Sequence, residues 1–154
     1  MREQTDVRLR ILSQTLTPQD IEARIGLKPS ESWRIGDRLG AFGAAARDHG
    51  FVIESGALAS APFREYVAAL IRKIAPAAQK IGALGDQCVI EVVCTLHRKA
   101  APLLTFERDD IRWIGVMGAK LRVDTFVISD GPRGGDRASF GGPGGAGGEE
   151  TPKL

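Results

Sequence analysis

Three side chains suited to molecular recognition lie close together in the stretch GLKPSESWRIGD, Gly26–Asp37: Trp33, Arg34 and Asp37. Tryptophan offers a flat ring for stacking, and arginine grips carboxylates through paired hydrogen bonds. In a structural interpretation, Trp33 packs into the edge of the core, Arg34 binds carbonyls or a carboxylate, and the last residues form a turn. In a functional one, the three side chains line a cleft for a small ligand or an enzyme substrate. The structural interpretation is favoured, because a lone tryptophan near a helix end usually packs.

The other candidate chemistry in the sequence has simpler explanations. His49 and His97 have no cysteine or carboxylate at metal-binding spacing, so we predict no metal site. Asp109 and Asp110 fit the first turn of a helix, where acidic groups stabilise the helix dipole. A G-x-G-x-x-G spacing in residues 142–147 lacks the flanking strand and helix of a dinucleotide loop, so we predict no cofactor. A non-enzymatic protein is therefore favoured, and an enzyme is the alternative.

The elements that must position these residues follow from hydrophobic periodicity. Alternating apolar and polar residues predict four strands, and amphipathic stripes with caps predict three helices. The second helix contains Pro76, which predicts a kink or a restart there. The predicted order is β-α-β-α-β-α-β, with strands at 7–11, 51–55, 88–97 and 121–128 and helices at about 18–26, 62–85 and 108–117.

Strands that alternate in this way have one apolar and one polar face, which predicts a two-layer α+β domain. We expect a sheet of about four strands with helices on one face, ferredoxin-like in outline. The opposite face would carry Arg8, Arg10, Glu91, Asp124 and Phe126. Interleaved acids and a single aromatic residue argue against an RNA platform. The mixture indicates a protein contact, either a homodimer or the docking surface of another protein.

Composition limits the remaining classes of protein. Of the 154 residues, 43% are hydrophobic, enough for one domain, which we place at 1–129. Residues 130–154 contain nine glycines and three prolines, so we predict a flexible tail. No apolar stretch approaches the ~18 residues of a membrane span, and a net charge of +2 does not demand nucleic acid. Two separated cysteines predict free thiols and a cytoplasmic location.

Three segments together resemble a bacterial domain-of-unknown-function family, four-two-seven-nine: LTPQDIEARIGLKPSESWRIGD, FVIESG and GAKLRVDTFV, within residues 7–128. The family pattern has a leucine-glycine-leucine-x-proline turn and a serine-tryptophan-arginine-x-glycine-aspartate loop. This sequence departs from that pattern at Ile25, Ser30 and Phe51, which stand in place of leucine, threonine and tryptophan. The resemblance implies no known activity. By analogy with compact immunity or accessory domains of bacterial conflict systems, we expect protein binding through the sheet face or the Trp33 loop.

Overall fold

The structure is a computed structural model that describes residues 2–129, and the tail predicted at 130–154 lies outside this range. Short 3-10 turns at Ala75–Ala77 and Gly85–Gln87 flank the third helix. The other elements, in chain order, are β1 (Gln4–Ser13), α1 (Pro18–Ile25), β2 (Glu31–Trp33), β3 (His49–Glu54), α2 (Phe63–Ile74), α3 (Ala78–Gly82), β4 (Val89–Arg98), α4 (Arg108–Val116) and β5 (Lys120–Val127).

All strands join one five-stranded mixed sheet in the order β2-β3-β1-β4-β5. The central strand β1 is antiparallel to β3 and β4, β2 is antiparallel to β3, and β5 is parallel to β4. The predicted α+β class is confirmed, and the prediction of about four strands omitted β2. The predicted ferredoxin-like outline fits β1 to β4: α1 joins β1 to the parallel strand β2 with β3 between them, and α2 and α3 join β3 to the parallel strand β4 with β1 between them. Strand β5 is an addition at the β4 edge.

Local signals in the sequence account for the first helix. The Thr17 hydroxyl accepts a hydrogen bond from the Asp20 N–H at 3.2 Å, and the Asp20 carboxylate accepts one from the Thr17 N–H at 3.0 Å. This reciprocal capping satisfies two backbone donors at the helix start. The backbone hydrogen bond from Thr17 lowers the pKa of Asp20. Gly26 ends the helix in the left-handed conformation, with φ of 75°.

Pro76 divides the second helical region, as predicted. The α-helix ends at Ile74, a 3-10 turn carries the proline, and α3 resumes at Ala78. A proline lacks the N–H needed inside a helix, so it sits here in the first turn of a new segment. Among the helices within residues 2–129, none has both the length and the apolar character needed to cross a bilayer.

The hydrophobic core lies between the helices and one face of the sheet. Alternate residues of β1, β3 and β4 enter it, together with apolar side chains from all four helices, in one continuous cluster. The predicted inward face of β4 is confirmed, since Ile90, Val92, Cys94 and Leu96 are buried, and Cys88 just before the strand is partly buried. The helices thus form a single layer, and within the described residues the other sheet face has no helical cover.

Two helical glycines give a matched test of packing between α3 and α4. A Cβ atom at Gly82 would lie 2.5 Å from the backbone oxygen of Val116, whereas one at Gly115 would meet nothing within 4 Å. We expect Gly82→Ala to lower the free energy of unfolding by about 1–2 kcal/mol through this clash. Gly115→Ala should raise it by about 0.5–1 kcal/mol, because alanine favours helices. Urea titrations of both variants check the pair, and equal changes would contradict the close approach.

Candidate functional site

The sheet surface opposite the helices, which we call the open face, brings distant charged residues into one array. Strand register places one set of alternate residues on it from each strand. The five sheet residues singled out in the sequence, Arg8, Arg10, Glu91, Asp124 and Phe126, all lie on this face. Its members are Gln4, Asp6, Arg8, Arg10, Leu12, Glu31, Trp33, Gly50, Val52, Glu54, Val89, Glu91, Val93, Thr95, His97, Lys120, Arg122, Asp124 and Phe126.

Arg8 is the centre of the largest charge cluster on the open face. Its Nε donates a hydrogen bond to Asp6 on the same strand. Its terminal nitrogens lie 3.7 Å from a Glu31 oxygen and 3.6 Å from a Glu54 oxygen. The hydrogen bond to Asp6 and the nearby carboxylates raise the pKa of Arg8. One arginine therefore ties β1 to β2 and β3, and its charge is met by three carboxylates.

A second pair holds β1 to β4. Arg10 donates from a terminal nitrogen to the Glu91 carboxylate at 2.6 Å. The Nε of Arg10 is buried and has no hydrogen-bond partner. Val52, directly opposite Arg10 on β3, is almost fully buried although it does not belong to the core cluster. Long arginine stems can cover apolar surface in this way while their charged ends remain in water.

The β5 side of the open face is more exposed. Arg122 Nε lies 2.9 Å from the Asp124 carboxylate on the same strand. The rings of His97 and Phe126 stack nearly parallel, with centroids 4.9 Å apart. Phe126 remains 52% exposed, so its outer ring face is available for a contact. This half of the face therefore combines an ion pair with an aromatic platform.

Trp33 belongs to the open face and not to the core. Strand β2 pairs Trp33 with Gly50 of β3, and a Cβ atom on Gly50 would lie 2.0 Å from the indole ring. The indole thus lies across the glycine, on the same side as Val52 and Glu54. The favoured interpretation, in which Trp33 packs into the edge of the core, is incorrect about its position. The alternation of β2 fixes Trp33 on the face that carries Glu31, opposite the helices.

Of the three residues that opened the sequence analysis, Arg34 directs its side chain away from the other two. Arg34 donates to the side-chain oxygen of Gln19 on α1 at 2.8 Å, and its backbone N–H donates to Asp37 at 2.9 Å. Trp33 and Asp37 line a shallow cleft of about 440 Å³ with residues 38–40, and Arg34 is not among the lining residues. The three side chains considered for one ligand site therefore do not all line this cleft.

A larger groove of about 760 Å³ runs along the open face. Strand β1 extends four residues beyond its last pair with β3, Arg8 opposite Glu54, and the groove continues past this step to Ala59 and Tyr66. Both signs of charge line it. The lining residues are Arg2, Glu3, Gln4, Thr5, Asp6, Arg8, Arg10, Ala59, Tyr66, Val93, Thr95, His97, Arg122 and Asp124.

The histidines serve local contacts. His49 accepts a hydrogen bond from the Ile35 N–H at 3.1 Å, which ties the long loop to β3, and His97 stacks on Phe126. Within residues 2–129 there is no group of three or more His, Cys, Asp or Glu side chains that could hold a metal ion. Asp110 accepts the Glu107 N–H at 3.0 Å and so caps α4.

The cysteines are free thiols, and burial raises the pKa of each. For Cys94 the pKa rises from 9.0 to about 12. The folded protein therefore holds this proton more tightly than the unfolded chain does. The contribution of Cys94 to the free energy of unfolding is complete below pH 9.0 and is lost as the pH rises toward 12. We expect Cys94→Val to flatten this alkaline decline in urea titrations across that range. An identical decline in both proteins would contradict the assignment to Cys94.

Sequence reasoning missed Asp6, Glu31 and Gly50 as parts of the open face. Asp6 precedes the first clearly alternating residues, and β2 contains only three residues, too few for a periodic signal. A glycine opposite a tryptophan could be found only from the register of two strands. The sequence signal that could have identified β2 was a single alternation, Glu31-Ser32-Trp33, ahead of the next strand.

The fold and this surface define a small two-layer α+β domain with a helical layer on one side and a charged, helix-free sheet face on the other. The chain belongs to the family described as Domain of unknown function (DUF4279), whose model matches residues 3–127. The resemblance of the sequence to that family is thereby confirmed. Neither a curated protein nor a solved structure matches the chain.

Proposed function

We propose that this protein is a non-enzymatic binding domain that contacts another protein through the open face. The observation that carries the proposal is that Arg8, Arg10 and Arg122 are each already paired with carboxylates of the same face. Small-ligand sites instead place a few polar groups around a concave, mostly apolar pocket. An array of paired charges offers little to a small anion.

A second protein can use the same array. A partner surface with interleaved charges inserts between the existing pairs, and electrostatic complementarity then selects the partner and its orientation. Trp33 and Phe126 at the two sides of the sheet supply aromatic contact area, the kind that dominates binding energy in protein interfaces. An immunity or accessory protein acts by covering a surface of a second protein, and the open face suits that role.

The alternative of a small-ligand or enzymatic site at Trp33, Arg34 and Asp37 has less support. Arg34 is engaged with Gln19 on α1, away from the cleft that Trp33 and Asp37 line. Cys94, the more deeply buried thiol, has a pKa raised to about 12, which disfavours the thiolate needed for nucleophilic attack.

Binding of purified products of neighbouring genes to the immobilised protein tests the proposal. We expect Arg8→Gln and Trp33→Ala to weaken the affinity for a genuine partner about tenfold or more, because each removes an anchor of the face. The control is Arg112→Gln on α4, which removes the same charge from an exposed residue of the helical layer. It should bind as the wild type does.

Thermal unfolding of each variant distinguishes a lost contact from a lost fold. If Arg8→Gln and Trp33→Ala both fold and bind the partner as tightly as Arg112→Gln, the open face is not the contact surface. If Arg112→Gln alone weakens binding, the partner contacts the helical layer, and the proposal is wrong.

A further inference from the structure

Strand β5 is an edge strand with its outer side unoccupied by any strand of residues 2–129. It is eight residues long, and most of its residues are exposed. Leu121, Phe126 and Val127 are among the exposed large apolar side chains of the protein. The opposite edge, β2, has only three residues. Proteins usually shorten, charge, bulge or cover their sheet edges to prevent pairing with other chains. Strand β5 is not shortened, and its three charged residues are of both signs, so they can match those of a second copy.

We propose that β5 pairs antiparallel with β5 of a second copy of this chain, so that two sheets join into one around a twofold axis. In a twofold antiparallel pair one residue lies opposite its own copy, and the remaining residues pair symmetrically about it. The charge pattern of β5 determines which residue lies opposite its own copy. On the open face, β5 carries Lys120, Arg122, Asp124 and Phe126.

With Val123 at the twofold axis, Arg122 of each copy lies opposite Asp124 of the other. This register also pairs Leu121 with Thr125 and Lys120 with Phe126, so every residue from 120 to 126 has a partner. Opposite charges directly across two strands stabilise the pair. The apolar side chains of Val123 meet on the helical side of the sheet.

The neighbouring registers are disfavoured by the same rule. Centring the axis on Arg122 places two arginines face to face, and centring it on Asp124 places two aspartates face to face. Like charges directly opposite each other destabilise a strand pair. The existing contact between Arg122 Nε and Asp124, at 2.9 Å, already aligns the two side chains along the edge. In the dimer these become four alternating charges.

Charge reversal on the purified protein alone tests this inference, with sedimentation velocity as the readout. We expect the wild type to reach twice the chain mass of 16.5 kDa. Arg122→Asp and Asp124→Arg should each shift the dissociation constant about tenfold or more toward monomer. The double variant Arg122→Asp/Asp124→Arg again places opposite charges across the proposed register, so it should restore the dimer. A monomeric wild type, or a double variant that stays as monomeric as the single ones, would overturn the proposal.

A cysteine at the twofold axis gives a second test that does not depend on charge. Opposite Cα atoms lie about 4.5–5.5 Å apart, within the range of a disulfide. Val123→Cys, in a Cys88→Ala background, should therefore crosslink to its own copy under mild oxidation. Thr125→Cys is the control, because four residue steps of about 3.3 Å separate it from its copy, roughly 13 Å. Equal crosslinking of both variants would contradict this register.

Self-association and partner binding are separable. The dimer test uses the protein alone and changes the β5 edge, whereas the variants of the proposed function lie on β1 and β2. A negative result in one of the two tests therefore does not contradict the other proposal.

Discussion

Replacing Ser13 by alanine is expected to lower the free energy of unfolding by about 2–4 kcal/mol, the largest effect we expect for a single polar substitution in this domain. Ser13 is 3% exposed at the end of the central strand. Its hydroxyl donates to the Gln87 carbonyl at 2.7 Å and accepts from the N–H groups of Leu16 at 2.9 Å and Thr15 at 3.2 Å. One oxygen thus joins β1, the approach to α1 and the turn before β4.

The size of the effect follows from what the substitution leaves behind. Alanine removes the hydroxyl but none of its backbone partners, and a buried donor or acceptor without a partner costs about 1–3 kcal/mol. The Leu16 N–H is buried, so water does not readily replace the lost acceptor. Urea denaturation at neutral pH measures the change.

Ser32→Ala is the matched control for this prediction. Ser32 is exposed on the edge strand β2, so its hydroxyl loses only contacts with water. Substitutions of this kind usually change stability by less than about 0.5 kcal/mol. Equal and small losses for both variants would show that the Ser13 hydrogen bonds do not hold the three segments together.

The sequence predicted those parts of the fold whose signal is local. Strands β1, β3, β4 and β5 alternate over enough residues to identify both the strand and its buried side. The cap at Thr17 and the break at Pro76 follow from backbone chemistry that needs no tertiary information. Strand β2 could not be predicted, because three residues carry no period and their pairing partners on β3 lie 17 to 21 residues further along the chain.

The candidate site shows the same division. Alternation was enough to place Arg8, Arg10 and Glu91 on one face, because the alternation within a single strand assigns its residues to the two faces. Which arginine meets which carboxylate depends on the register between strands. Register is set by packing across the whole sheet. The position of Trp33 depends on a glycine 17 residues away, at Gly50, and so could not follow from its own loop.

Gly50→Ala is expected to displace the Trp33 indole from the open face and to lower the free energy of unfolding by about 2 kcal/mol. The new Cβ would lie 2.0–2.5 Å from three carbon atoms of the ring, so the ring must move. Since the indole is a side chain, it can rotate into solvent, and the backbone of β3 need not shift. The edge strand β2 would then lose the contact of Trp33 with Gly50 of β3.

Fluorescence reports the displacement directly. In a Trp113→Phe background Trp33 is the remaining tryptophan, and its emission should shift to longer wavelength in Gly50→Ala as the ring becomes solvated. The same variant should lose affinity for the protein partner to the extent that Trp33→Ala does, since both remove the ring from the face. Gly115→Ala, which meets no neighbouring atom, serves as the control glycine. An unchanged emission in Gly50→Ala would mean that Trp33 does not lie across the glycine, and its place on the open face would have to be abandoned.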